Sequence, residues 1–84
     1  MSKVIIYTTR FCPYCVRAKH LLEQKGAKYK EFRVDNDPKL RQIMAKKSNR
    51  RTVPQIWIND KHVGGCDELY ALERSDKLDK LLNI

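Results

Sequence analysis

Val4-Ile5-Ile6-Tyr7 is the longest uninterrupted apolar run in the sequence, and it constrains the fold more than any other feature. Four β-prone residues, apolar on both faces, describe a strand covered on each side, hence a layered α/β arrangement. A chain of 84 residues has room for one such core, so residues 1–84 read as a single domain. The covers follow in order. Pro13 suits the first turn of a helix, where a missing N–H costs nothing. Ala18, Leu21 and Leu22 then share one face, Arg17, Lys19 and Glu23 face water, and Gly26 ends the helix.

Residues 28–34 read as a second strand, rich in lysine and so near an edge. Asp37-Pro38 opens a second helix, with Leu40, Ile43 and Met44 at helical spacing, that stops near Ser48-Asn49. Gln55-Ile56-Trp57-Ile58 is a β-branched and aromatic strand. Asn59-Asp60 turns it into the short strand Lys61-His62-Val63, closed by Gly64-Gly65. A last helical stretch carries Leu69, Tyr70 and Leu72, and Leu78, Leu81 and Leu82 cover one end of the sheet. The expected order is β-α-β-α-β-β-α, with room for one more C-terminal turn or helix.

The apolar runs fall far short of the roughly 20 residues that span a bilayer. Met1-Ser2-Lys3 leads directly into the first strand without the apolar stretch of a secretory signal. A cytoplasmic protein without a membrane partner is expected. Charge is unevenly placed: residues 1–51 carry 14 basic and 4 acidic side chains, net +10, and residues 52–84 carry 4 and 6, net −2. Such a surface attracts nucleic acid, acidic proteins or a small anion, or simply solubilises the chain. No RNA-binding aromatic motif or recognition helix accompanies it, so nucleic acid is not the expected partner.

Three cysteines argue against a secreted disulfide framework. Two form Cys12-Pro13-Tyr14-Cys15, and one C-x-x-C has two chemical readings, half of a zinc site or a redox dithiol. Zinc would need Cys66, His20 or His62 to complete its ligands, and no second C-x-x-C or paired histidine motif exists. No metal is therefore expected. Cys12 falls where a strand ends and a helix begins. There the free N–H groups of the first turn, those of Tyr14 and Cys15 among them, and the positive end of the helix dipole favour a thiolate. A cysteine with a pKa near 8.5 is only about 3% ionised at pH 7, whereas such positions lower it to roughly 3.5–7.5. Arg10 can add positive charge. Cys15, one turn deeper, stays protonated. Cys12 is the expected nucleophile and Cys15 the resolving thiol.

Cys12-Pro13-Tyr14-Cys15 before a helix, Thr52-Val53-Pro54 before a strand, and Gly64-Gly65-Cys66-Asp67 before a helix together resemble the glutaredoxin family, in order and spacing, over essentially the entire chain. The C-P-Y-C centre is similar to the dithiol class rather than the C-G-F-S iron–sulfur class. The resemblance implies a thioredoxin fold: a four-stranded mixed sheet flanked by helices. It implies a glutathione-dependent thiol–disulfide oxidoreductase, acting as a monomer on disulfide-containing or glutathionylated client proteins.

The resemblance also implies roles. Pro54 follows a cis bond that turns the Val53 N–H and C=O towards the cysteinyl backbone of glutathione, beside Thr52. Asp67 and the helix start hold the γ-glutamyl end, and Arg41 reaches the glycyl carboxylate. Tyr14 packs beside the sulfur. Cys66 matches the Gly-Gly-Cys stretch but reads as a small buried thiol. One departure stands out. Where the family commonly has lysine, three residues before the nucleophile, this chain has Thr9, and the nearest cation is Arg10.

Overall fold

The computed structural model describes residues 2–84. Strands β1 (Val4–Thr8), β2 (Tyr29–Arg33), β3 (Gln55–Ile58) and β4 (Lys61–Gly64) form one sheet in the order β2-β1-β3-β4. β1 runs parallel to β2 and antiparallel to β3, and β3 runs antiparallel to β4. The sheet is therefore mixed, with the apolar β1 inside it and the Lys-bearing β2 at one edge, as the sequence implies. Helices α1 (Pro13–Gln24), α2 (Pro38–Ser48), α3 (Cys66–Arg74) and α4 (Leu78–Leu82) complete the fold. The short α4 fills the place left for an extra C-terminal element.

Strand alternation divides the interior into two cores. Val4 and Ile6 of β1 with Ile56 and Ile58 of β3 face one side. They pack against Ala18, Leu21 and Leu22 of α1, Leu69 of α3, and Leu78 and Leu82 of α4. Tyr7 and Trp57 face the other side with Val34 and Met44, the last from α2. Tyr7 lies 5.3 Å from both the Phe32 and Trp57 ring centroids, stacked on the first and edge-on to the second. Each buried leucine contributes on the order of 1.5–3 kcal/mol by leaving water, so the layer of α1, α3 and α4 holds the sheet from this side.

Local chemistry sets the element ends. Asp37 caps α2 by accepting from the Leu40 N–H at 3.1 Å, with Pro38 behind it in the first turn. Gly26, past the end of α1, has φ +70°, which glycine adopts without steric cost. Asn59 and Asp60, at φ 52° and 66°, form the tight β3–β4 turn. Among the described residues, no buried side-chain nitrogen or oxygen lacks a hydrogen-bond partner. Among the same residues, no helix is long and apolar enough to cross a membrane.

Candidate active site

Cys12 is the N-cap of α1. Its backbone is extended (φ −133°, ψ 100°), and its Sγ accepts a hydrogen bond from the Cys15 N–H at 3.1 Å. An N-cap serine would place an oxygen there; here a sulfur takes one of the free donors of the first turn. No acidic residue stands in that turn, so no carboxylate there opposes negative charge on the sulfur. Cys12 and Cys15 are joined as a disulfide, with Cα atoms 5.1 Å apart. The two cysteines differ in access. Cys12 is 9% exposed and Cys15 only 1%, within the α1 core, the asymmetry that a nucleophile and its resolving partner require.

The Val53–Pro54 peptide bond is cis, and the Val53 carbonyl oxygen lies 3.9 Å from Cys12 Sγ. A cavity of about 370 Å³ opens here. Tyr14 stands at its rim, more than half exposed. Thr52, Val53 and Pro54 form one wall; Gly65, Cys66, Asp67 and Glu68, at the start of α3, form the other. That volume is within the range of small-molecule sites. The structure thus brings together Tyr14, Thr52, Val53, Pro54, Cys66 and Asp67 beside the Cys12–Cys15 pair.

Two sequence candidates stand outside this cavity. The Arg10 guanidinium lies over the Phe11 ring, 5.3 Å from its centroid. It lines a separate depression with Thr9, Arg33 and Asp35. Arg41 donates from Nη1 to the Arg51 carbonyl at 3.2 Å and lines a small cleft with Pro38 and Ala45. It buttresses the segment that leads into Thr52. Cys66 is buried among the α1/α3 core residues, and burial pushes its thiol pKa up, so it stays protonated.

Glu68 and Gln55, not singled out from the sequence, complete the site together with the partners that hold them. Glu68, at the third position of α3, accepts from the Gly65 N–H at 2.6 Å and pairs with Arg50 Nη1 at 2.9 Å. These two partners hold its carboxyl below the usual range, the backbone N–H foremost. The interaction is half of a capping box; glycine has no side chain to return the other half. Gly64 has φ +118°, and a Cβ there would come within 2.5 Å of the Glu68 carboxylate.

On the opposite wall, Gln55 is fully buried. Its Nε2 donates to the Thr52 carbonyl at 3.0 Å and to Oγ1 at 3.2 Å. Its Oε1 lies 2.8 Å from His62 Nε2. Because that oxygen can only accept, His62 carries its proton on Nε2 and fixes the orientation of the amide. Burial, aided by the positive charge of Arg50, lowers the His62 pKa. The sequence signals for these residues were a polar side chain inside an apolar strand and a Glu three positions after Gly65. Among the described residues, no group of three His, Cys, Asp or Glu side chains converges as a metal-binding set.

The family model described as Glutaredoxin matches residues 4–63. The "Glutaredoxin" of Pseudomonas aeruginosa is 57% identical over 83 residues, covering 99% of each chain. "Glutaredoxin 3" of Escherichia coli K12 is 51% identical over 82 residues, covering 98% of this chain and 99% of the relative. Among solved structures, a buckwheat glutaredoxin–glutathione complex superposes with a TM-score of 0.91 at 30% identity, covering 98% of this chain and 77% of that one.

Proposed function

The chain belongs to the glutaredoxin family of thiol–disulfide oxidoreductases, and from that premise we propose that glutathione supplies its electrons and that Cys12 and Cys15 carry them. The observation that carries this reading is Cys12 at the start of α1, its sulfur held by a backbone N–H and bonded to Cys15 beside the Val53 carbonyl. The buckwheat relative that superposes on this chain was crystallised with glutathione, which supports the same ligand here.

Exchange proceeds through mixed disulfides. On a glutathionylated client, the Cys12 thiolate attacks the glutathionyl sulfur. A Cys12–glutathione disulfide forms, and the client leaves as a thiolate that takes up a proton. The thiolate of a second glutathione then attacks the glutathionyl sulfur, releasing oxidised glutathione and the Cys12 thiolate. On a protein disulfide, Cys12 attacks first. Cys15, giving up its proton, then displaces the client thiol and leaves the Cys12–Cys15 disulfide. Two glutathione molecules reduce that disulfide and become oxidised glutathione.

The Val53 N–H and C=O pair with the cysteinyl backbone of glutathione like one rung of a ladder, with Thr52 beside them. Asp67 receives the γ-glutamyl ammonium while the α3 start takes its carboxylate. Arg41 supports the wall next to the glycyl end. The protein acts in this reading as a cytoplasmic monomer. A glutathione-coupled assay on a small glutathionylated disulfide, run beside a thioredoxin-reductase-coupled assay, tests it. Turnover is expected with glutathione; turnover with the reductase alone would overturn it.

A further inference from the structure

The redox site leaves the exposed face of α2 unused. Lys39, Ile43 and Lys46 fall at i, i+4 and i+7, one stripe of the helix, and Arg50 continues it beyond the C-terminal Asn49. With Arg51 they line an open groove of about 940 Å³. Ile43, near the middle of the stripe, is 48% exposed. Among the described residues, Lys39, Lys46 and Arg51 take part in no ion pair, whereas the neighbouring Lys47 is turned onto the Trp57 ring. Three basic side chains of residues 1–51 are thus unpaired and gathered around one apolar side chain.

This groove is continuous with the redox site. Arg50 lines both the groove and the cavity beside Cys12. From Arg50 to Val53 the chain advances three residues, at most about 11 Å, and the Val53 carbonyl lies 3.9 Å from the Cys12 sulfur. The stripe itself, from Lys39 to Arg50, is about 16 Å long at helical rise, the length of about five extended residues.

We propose that this groove docks an acidic segment of the client protein, extended along α2, while the client's disulfide or glutathionylated cysteine reaches Cys12. The segment lies about four to eight residues from the reacting cysteine and carries Asp or Glu opposite Lys39 and Lys46, with one apolar residue against Ile43. An apolar side chain at the centre, and no aromatic ring among the lining residues for bases to stack on, fit a polypeptide better than nucleic acid. The docking charge steers encounter and selects among clients without altering the exchange chemistry. This inference rests on the redox reading above.

The test uses two glutathionylated peptides of equal length, one with Asp and Glu at those positions and one with Asn and Gln. A cysteine-free acidic peptide, a single-stranded oligonucleotide and a small glutathionylated disulfide complete the set. The intact protein should show kcat/KM about three- to tenfold higher on the acidic peptide, the gain that two partly exposed ion pairs supply, and the preference should shrink as salt rises. The double variant Lys39→Glu/Lys46→Glu should lose the preference and the binding of the cysteine-free peptide, with turnover of the small disulfide unchanged. Equal kcat/KM on the two peptides, or a preference that survives in the double variant, would overturn the proposal. So would binding of the oligonucleotide but not of the acidic peptide at the same salt. Binding of the cysteine-free peptide without any turnover of the small disulfide would uphold the docking surface and overturn the redox reading instead.

Discussion

Two helix starts border the cavity, and their free N–H groups are used in opposite ways. At α1, the N-cap is Cys12, the first turn holds no acidic residue, and the Cys15 N–H points at the sulfur. At α3, the N-cap is Gly65, and Asp67 and Glu68 both stand in the first turn. There the Glu68 carboxylate takes the Gly65 N–H and is itself held by Arg50. One terminus keeps its positive end for a sulfur that must ionise; the other has part of it occupied by the protein's own carboxylate. A helix start becomes reactive through what is left out of its first turn as much as through what is placed there.

The largest effect should come from the pair at α1. Cys12→Ser should abolish removal of glutathione from mixed disulfides, while Cys15→Ser should retain it and lose only the route through an intramolecular disulfide. Steady-state rates on a small glutathionylated disulfide measure both, and equal loss in the two variants would erase the asymmetry drawn from their burial.

Next in size is the opposite terminus. Gly64→Ala forces a side chain into a left-handed backbone and against the Glu68 carboxylate, costing about 1–3 kcal/mol of stability. Denaturant unfolding should show that loss, together with a raised KM for glutathione and an unchanged Cys12 pKa. A shifted Cys12 pKa would show that the two helix starts are not independent.

Glu68→Gln should cost about 1 kcal/mol or less, since the carboxylate is a cap on a partly exposed surface where solvent screens the Arg50 pair. Because the folded protein holds the Glu68 carboxyl below its unfolded value, its contribution is fully present above the unfolded pKa of about 4.3. It is lost as pH falls through the folded value. The stability difference between wild type and variant should therefore narrow below about pH 4.3; a difference independent of pH would remove the charged cap from the account.

The smallest effect belongs to Arg10. Its position two residues from Cys12 leaves it able to substitute in part for the family lysine absent at Thr9. The structure instead lays its guanidinium on Phe11, so Arg10→Ala should move the Cys12 pKa by less than about 0.3 unit, or about 0.4 kcal/mol. A rise of a full unit, read from thiolate absorbance against pH, would put Arg10 back beside the sulfur.

What could be read from the sequence followed from short-range rules. Pro13, Gly26 and Asp37-Pro38 mark helix ends because backbone sterics and capping act locally. The apolar Val4–Tyr7 run marks the inner strand because a strand with two apolar faces has nowhere else to go. The same rules mark Cys12 at a helix start, whereas Val53 and Asp67 are marked by the family resemblance; both line the cavity beside Cys12. Arg10 and Arg41 were harder because a long side chain chooses its partner through tertiary packing, which spacing along the chain does not encode. The Gln55–His62 pair was hidden for a related reason: Gln55 follows Pro54 in the sequence, but its partner His62 arrives only across the β3–β4 hairpin. Glu68 was masked by glycine at the N-cap, which removes the hydroxyl that makes a capping box recognisable.

Kept free of acidic residues, the start of α1 should make Cys12 a thiolate under working conditions. Titration of the reduced protein, with thiolate absorbance followed against pH, measures this, and Cys15→Ser assigns the first transition. Cys12 is expected to ionise between roughly pH 3.5 and 7.5, with the transition retained in Cys15→Ser. A Cys12 transition at the ordinary thiol value of about 8.5 would contradict it.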